Sequence, residues 1–395
     1  MDKQRIVITG VGVVAPNGIG KEEFWNNCFA GVSGIKPITL FDTSSYRCHV
    51  AGEISNFQPE KYLGLKGLRN LDRTTLLSLV AAKLAIDDSQ LQITDANRNE
   101  IGVVLGSTMG SVHSISEFDK EGLREGPRYV NPAQFPNTVI NSPASQVAIR
   151  FGLRGLNSTI STGFTASLDA IGYAMDMLQL GRASALLVGG VEELCIQTFL
   201  GFYKLGFLAT AQNGTPPVFA PFDARSCGAL LGEGAAFFVL GTLERAIERK
   251  TTISAELLGY VTQFSPASMY RYDPEAEGLR EVLQRVLEES GVDPDEIDYV
   301  SASANSTKAG DAAEALALRA VFGEETKTAT SAVKTLLGES FSASGALQAA
   351  VTIGVLVKRQ VSSTSSRQVR IQHALVSGFG PTGVASALVV ARTDA

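Results

Sequence analysis

Histidine and cysteine are scarce in this 395-residue chain, and basic charge is not in excess. Its three histidines, His49, His113 and His373, lie far apart, as do Cys28, Cys48, Cys195 and Cys227. With no C-x-x-C pair and no His/Cys cluster, neither a metal site nor a disulfide framework is signalled, and reduced thiols are expected. A net charge of -6 gives no support to nucleic-acid binding, which needs a basic face. No apolar run approaches the roughly 20 residues that span a membrane. The first apolar segment, residues 6–14, is stopped by Ala15, Pro16, Asn17 and Gly18, so it predicts a strand and turn rather than a signal peptide. A soluble, cytoplasmic protein is the expectation.

Hydrophobic residues make up 45% of the chain and charged residues 19%, the balance of a large, well-buried globular protein. The length suggests two or three domain-sized units. Short β-rich runs at 5–14, 101–106, 184–190, 232–240, 255–261, 299–303, 375–378 and 385–391 alternate with amphipathic stretches at 71–88, 166–180, 275–290 and 312–322. That alternation predicts an α/β protein with buried, mixed or parallel sheets. A weak internal echo accompanies it: 159–187 and 330–356 each run from a small-residue turn into a long helix, and 101–110 resembles 297–310. The expected organisation is two related halves, 1–252 and 253–395, with no low-complexity linker between them.

Gly10, Gly12 and Ala15 match a G-x-G-x-x-A dinucleotide fingerprint. That fingerprint requires a helix to begin within the glycine run, where its amides hold a pyrophosphate. Pro16, Asn17 and Gly18 stop any helix at once, so a nicotinamide-dependent enzyme is not favoured.

Five segments, 6–18 (IVITGVGVVAPNG), 144–172, 222–235 (FDARSCGALLGEGA), 299–314 and 334–345, together with the closing loop 377–383 (SGFGPTG), carry a resemblance that spans nearly the whole chain in order. The chain resembles the β-ketoacyl-acyl-carrier-protein synthases of the thiolase-fold condensing enzymes. The resemblance implies a five-layered α-β-α-β-α sandwich that works as a dimer.

Members of that family carry a cysteine at the head of a buried central helix, where helix-end amides favour the thiolate and help stabilise the oxyanion of the thioester adduct. Here the run reads Ser161-Thr162-Gly163-Phe164-Thr165-Ala166, with Phe164 at the cysteine position. A phenyl ring forms no thioester, so covalent catalysis is excluded at this position. Phe164, Leu168, Ile171, Met175 and Leu178 also fall on one helical stripe, which predicts a first-turn core residue. Of the two family histidines that serve decarboxylation, the first is replaced by Ser303, and in the second run Lys334 is retained while Glu339 stands for the histidine. An ionised carboxylate there repels a developing enolate. In the C-terminal loop Phe379 aligns with the family's aromatic gatekeeper. Pro381 stands at the second glycine, or one residue away at an oxyanion donor position where it has no N–H to give. Asp311 and Glu314 keep the family pattern.

This pattern of losses is similar to that of the chain length factor, the ketosynthase β subunit of type II polyketide synthases, although common members carry glutamine at the cysteine position. The resemblance implies a catalytic ketosynthase as heterodimer partner and an acyl carrier protein that delivers acyl groups on its phosphopantetheine, with no other cofactor. By the same resemblance, 108–118 and 131–135 face the partner, and Met109, Val112, Ser116 and Phe135 are the candidate wall of the acyl channel. Lys66, Arg69 and Arg73, on a helix predicted to be entered near Leu63, are the candidate carrier-protein contact. Two alternatives remain open on the sequence: an acyltransferase or hydrolase using Ser161, Thr162 or Ser303 with Lys334 and Glu339, and a homodimeric scaffold that binds carrier proteins.

Overall fold

The computed structural model describes residues 4–210, 218–266, 271–361 and 371–393. Ten strands and nine helices position the site: β1 (Ile6–Ala15), α1 (Lys21–Phe29), α2 (Arg73–Ser89), β2 (Ile101–Gly106), α3 (Val112–Glu125), α4 (Ser142–Phe151), β3 (Asn157–Ile160), α5 (Ala166–Gln179), β4 (Ala185–Glu192), α6 (Ile196–Lys204), β5 (Gly234–Thr242), β6 (Ala255–Phe264), α7 (Glu277–Ser290), β7 (Ile297–Ser301), α8 (Lys308–Phe322), β8 (Ala329–Ser331), α9 (Ser342–Lys358), β9 (His373–Phe379) and β10 (Val384–Ala391). Shorter helices, among them Glu60–Leu63 and Lys334–Leu337, link them.

The strands form one hydrogen-bonded path whose two ends repeat each other. The order is β3-β2-β4-β5-β1 in the first half and β8-β7-β9-β10-β6 in the second, the same topology displaced by five strands. The halves meet where β1 pairs antiparallel with β6 at Ile6–Leu257, Val7–Glu256 and Ile8–Ala255. The weak echo in the sequence is therefore a structural duplication.

Composition explains the layering. Every residue of β1, β4 and β5 is buried, the mark of strands covered on both faces. In α9 every residue from Ser342 to Leu356 is buried, and most of α5 is too, so these helices are apolar all round and occupy the middle layer. They pack on each other between the two five-stranded units, while α2 covers β1 and β5 and α7 covers β6 and β10 from outside. This is the five-layered α-β-α-β-α arrangement. No helix of the described residues is long and apolar enough to cross a membrane.

The glycines of the apparent dinucleotide motif have a packing explanation. A Cβ at Gly10 would lie 2.3 Å from the carbonyl oxygen of Ala85, and one at Gly12 would lie 2.0 Å from that of Ala81. Both glycines let β1 touch the backbone of α2. We expect Gly12→Val to lower stability by about 3 kcal/mol or more through this overpacking, read as a drop in the urea midpoint; an unchanged midpoint would contradict the packing role.

Candidate functional site

The head of α5 lies where the duplication brings the two central helices together. After β3 the chain passes the exposed Ser161 and Thr162, turns through Gly163 at φ +79°, and makes a short 3₁₀ turn before α5 begins at Ala166. Phe164 lies in that turn, 6% exposed. It is buried as expected, but not in the core of its stripe. Leu168, Ile171, Met175 and Leu178 join the cluster between the sheets, whereas Phe164 joins a separate one with Phe202, Phe341 and Leu231. The physical reason is the 3₁₀ turn, which precedes the regular helix and breaks the helical spacing.

Four phenylalanines meet there. The Phe164 ring is edge-on to Phe341 at 5.2 Å, to Phe207 at 6.1 Å and to Phe202 at 6.3 Å, and Phe202 stacks on Phe341 at 4.5 Å. Edge-to-face and offset contacts of this kind add about 0.5–1.5 kcal/mol per pair beyond area burial. A Cβ at Gly380 would lie 2.7 Å from the Phe164 Cβ, so the C-terminal loop closes directly over the ring.

Beside the rings, the two positions without histidine are joined by a buried ionic network. Lys334 Nζ donates to Glu339 Oε2 at 2.8 Å, to the Ser303 carbonyl at 2.8 Å and to Ser303 Oγ at 3.2 Å. Glu339 also accepts from Asn305 Nδ2 at 2.8 Å, from Ser344 Oγ at 2.8 Å and from the Phe341 N–H at 2.9 Å. Both charged side chains are almost fully buried. A buried carboxylate requires such partners, and Glu339 has four donors on its two oxygens.

The structure thus brings Ser303, Lys334, Glu339 and Phe379 together, with Phe164 alongside. Ser303 Oγ donates to the Phe379 carbonyl at 3.1 Å and accepts the Phe379 N–H at 3.1 Å. That main-chain N–H is consequently engaged and not directed at an oxyanion. Pro381 is buried and gives the loop no further donor. An ammonium committed to a carboxylate has no lone pair with which to activate Ser303. Thr162 Oγ1 is likewise bound to Asp169.

Around this centre, burial acts on the remaining acids. Glu314 accepts from the Ser303 N–H at 2.8 Å and from Ser377 Oγ at 2.6 Å, and desolvation pushes it up to about 7. Asp311 accepts the N–H groups of Asn305, Ser306 and Phe222, and burial raises it against those bonds. Burial also pushes the Tyr272 phenol up; its ring lies 5.2 Å from that of Phe379. Among the described residues no group of three or more His, Cys, Asp or Glu side chains is placed to hold a metal.

The expected wall residues lie apart from this network. Met109 is half-buried against the phenylalanine cluster, Val112 opens α3, and Ser116 Oγ donates to the Val112 carbonyl at 2.9 Å. Phe135 is exposed, its ring 6.2 Å from that of Phe118. Lys66 and Arg69 are exposed on a loop, not on the helix expected there, because Asp72 caps α2 and the helix starts at Arg73. Arg73 itself requires correction as a carrier-protein contact. Its guanidinium forks onto the fully buried Glu233 at 2.7 and 2.5 Å, so its charge is used inside the protein.

Sequence reasoning missed Phe341, Ser344 and Asp169. Asp169 accepts hydroxyls from Thr162 and Thr165 in the first half and from Tyr260 and Ser386 in the second. An acid amid the apolar first turn of α5 was the available signal.

Two outcomes follow from this geometry. Lys334→Met or Glu339→Met alone is expected to cost about 3–5 kcal/mol by stranding a buried charge, while the double variant costs less than the sum of the two. A urea double-mutant cycle with additive losses would contradict the coupling. The second concerns pH. Desolvation raises Glu192 to about 7 and Glu193 to about 8, alongside Glu314 at about 7, all above the ordinary 4.5. Between these values the folded state binds more protons than the unfolded one, so these groups make stability fall as pH rises from about 5 to 8. The urea midpoint should be higher at pH 5.5 than at pH 8, and Glu193→Gln should flatten the slope; a steeper slope in that variant would refute the assignment.

Comparison with known proteins is consistent with this geometry. Residues 3–246 match the Beta-ketoacyl synthase, N-terminal domain and residues 254–367 the Beta-ketoacyl synthase, C-terminal domain. The chain is 33% identical to a 3-oxoacyl-[acyl-carrier-protein] synthase 2 of Coxiella burnetii, covering 99% of both chains. Its structure resembles a chain of the ishigamide ketosynthase/chain length factor (TM-score 0.89, 29% identity, 99% of this chain and 100% of the other). It also resembles a chain from a type II polyketide synthase acyl-carrier protein in complex with its ketosynthase bound to the hexaketide (TM-score 0.89, 25% identity, the same coverage). On its sequence and its thiolase-like fold, this chain belongs to the β-ketoacyl synthase family.

Proposed function

We propose that the chain is a non-catalytic, chain-length-determining subunit that pairs with an intact ketosynthase to form a type II polyketide, or related polyene or fatty acyl, synthase. The observation that carries this is Phe164. The family's nucleophile position is filled by an aromatic ring packed against three others. A second loss is independent of it, because Glu339 is neutralised by Lys334 where the family uses an imidazole. No covalent acyl transfer proceeds through such a site.

The likeness to the ishigamide ketosynthase/chain length factor supports a paired assembly. The named sequence relatives are 3-oxoacyl-[acyl-carrier-protein] synthases, so the side-chain losses, rather than overall similarity, distinguish this chain. An uncovered surface supports it as well. No residue of the fourteen in α3 is buried, and Leu123, Tyr129 and Phe135 are 88%, 74% and 58% exposed. Apolar exposure on that scale fits an interface core waiting for its partner. In this reading acyl groups arrive on the phosphopantetheine of an acyl carrier protein, and Met109, Val112, Ser116 and Phe135 stand at the channel wall.

Co-expression with an intact ketosynthase tests the proposal. A one-to-one pair is expected by size-exclusion chromatography, with poor recovery of the chain alone, and Met109→Trp in the pair should shorten the product. A stable lone chain that condenses substrates at full rate would end the proposal.

A further inference from the structure

Two carboxylates outside the network above have no role in it. Glu192 ends the wholly buried strand β4 and Glu193 follows it; they are 0% and 3% exposed. Burying two adjacent acids is costly, and packing alone never calls for it. Successive strand residues point to opposite faces of a sheet, so the pair reaches two layers. Glu192 meets Ser342 at the head of α9, and Glu193 meets Thr74 and the charge of Asp72 at the head of α2.

Their remaining bonds all go to one segment. Glu192 Oε2 accepts the Thr108 N–H at 3.1 Å and Oε1 accepts the Met109 N–H at 3.1 Å. Glu193 Oε1 accepts the His113 N–H at 3.2 Å. Both ends of the turn 107–113 are therefore pinned by carboxylates. The turn is braced further by the bond from Thr108 Oγ1 to the Gly163 carbonyl at 2.6 Å, beside Phe164. Helix α3 leaves this turn with no buried residue of its own, so nothing in a hydrophobic core fixes its direction. An acceptor oxygen at a helix N-terminus holds a free amide there, as Glu193 does for His113.

We infer that Glu192 and Glu193 are positioning residues for the channel wall, holding the turn that carries Met109 and Val112 and thereby helping to set product length. The inference rests on the proposed chain-length role. Glutamine at position 192 offers one acceptor oxygen where the two carboxylate oxygens take one amide each, so Glu192→Gln removes one of the two bonds at that end of the turn and loosens it.

The test uses the co-expressed pair with Glu192→Gln, Glu193→Met, which leaves the His113 N–H without its acceptor, and, as reference, Met109→Trp, reading the distribution of product lengths by mass spectrometry. The expected result is an assembled pair whose minor chain lengths rise at least fivefold in both carboxylate variants. Amide exchange of the peptide covering 107–113 should accelerate about tenfold in Glu192→Gln. If Glu192→Gln does not fold, Ser342→Ala removes one donor from Glu192 and should shift the distribution in the same direction by less. A reduced yield with an unchanged distribution overturns the inference, since a merely structural role lowers the amount and not the pattern. If Met109→Trp alters lengths while no carboxylate variant does, the inference fails and the chain-length role stands. If none of the variants alters them, both fail.

Discussion

Two rings 5.2 Å apart, Phe164 and Phe341, stand at the heads of the two central helices, and the rest of the site is arranged around that contact. The duplication of the fold puts α5 and α9 side by side in the middle layer. Each helix head presents amides without intrahelical partners and the positive end of a dipole, a setting that in a working condensing enzyme favours a thiolate and an oxyanion. Here those demands are met from within. Asp169 lies in the first turn of α5 and Glu339 just ahead of α9, and each gathers hydroxyl or amide donors onto a buried carboxylate. The aromatic rings occupy the volume between.

Electrostatics supports the proposed change of role. An active site keeps donors free and charges poorly satisfied until a substrate arrives, at a cost in stability. In this chain Lys334, Ser303, Asn305 and the Phe379 N–H are all bonded to other protein groups. On the proposed reading, groups that serve chemistry in the family serve cohesion within the second half here.

The fold was largely legible in the sequence because buried strands and a repeated β-turn-α pattern leave strong periodic signals. The alternation placed all of the long strands, and the echo between 159–187 and 330–356 corresponds to the equivalent helices α5 and α9. Ser303, Lys334 and Glu339 were found by position within motifs, and the structure brings them into contact. Tertiary partners were not legible. Arg73 looked like a surface charge because Glu233, its partner, is 160 residues away. Phe164 fitted a helical stripe because a 3₁₀ turn and a helix turn look alike in sequence. Phe341 gave no signal, since its positive φ and its stacking on Phe202 exist only in the fold.

The central claim is that this chain carries no acyl group covalently. Its most direct measurement is intact-protein mass spectrometry of the purified pair after incubation with an acyl-carrier-protein thioester. The mass of an acyl group should be added to the partner ketosynthase alone. An acyl adduct on a serine or threonine of this chain would contradict the account.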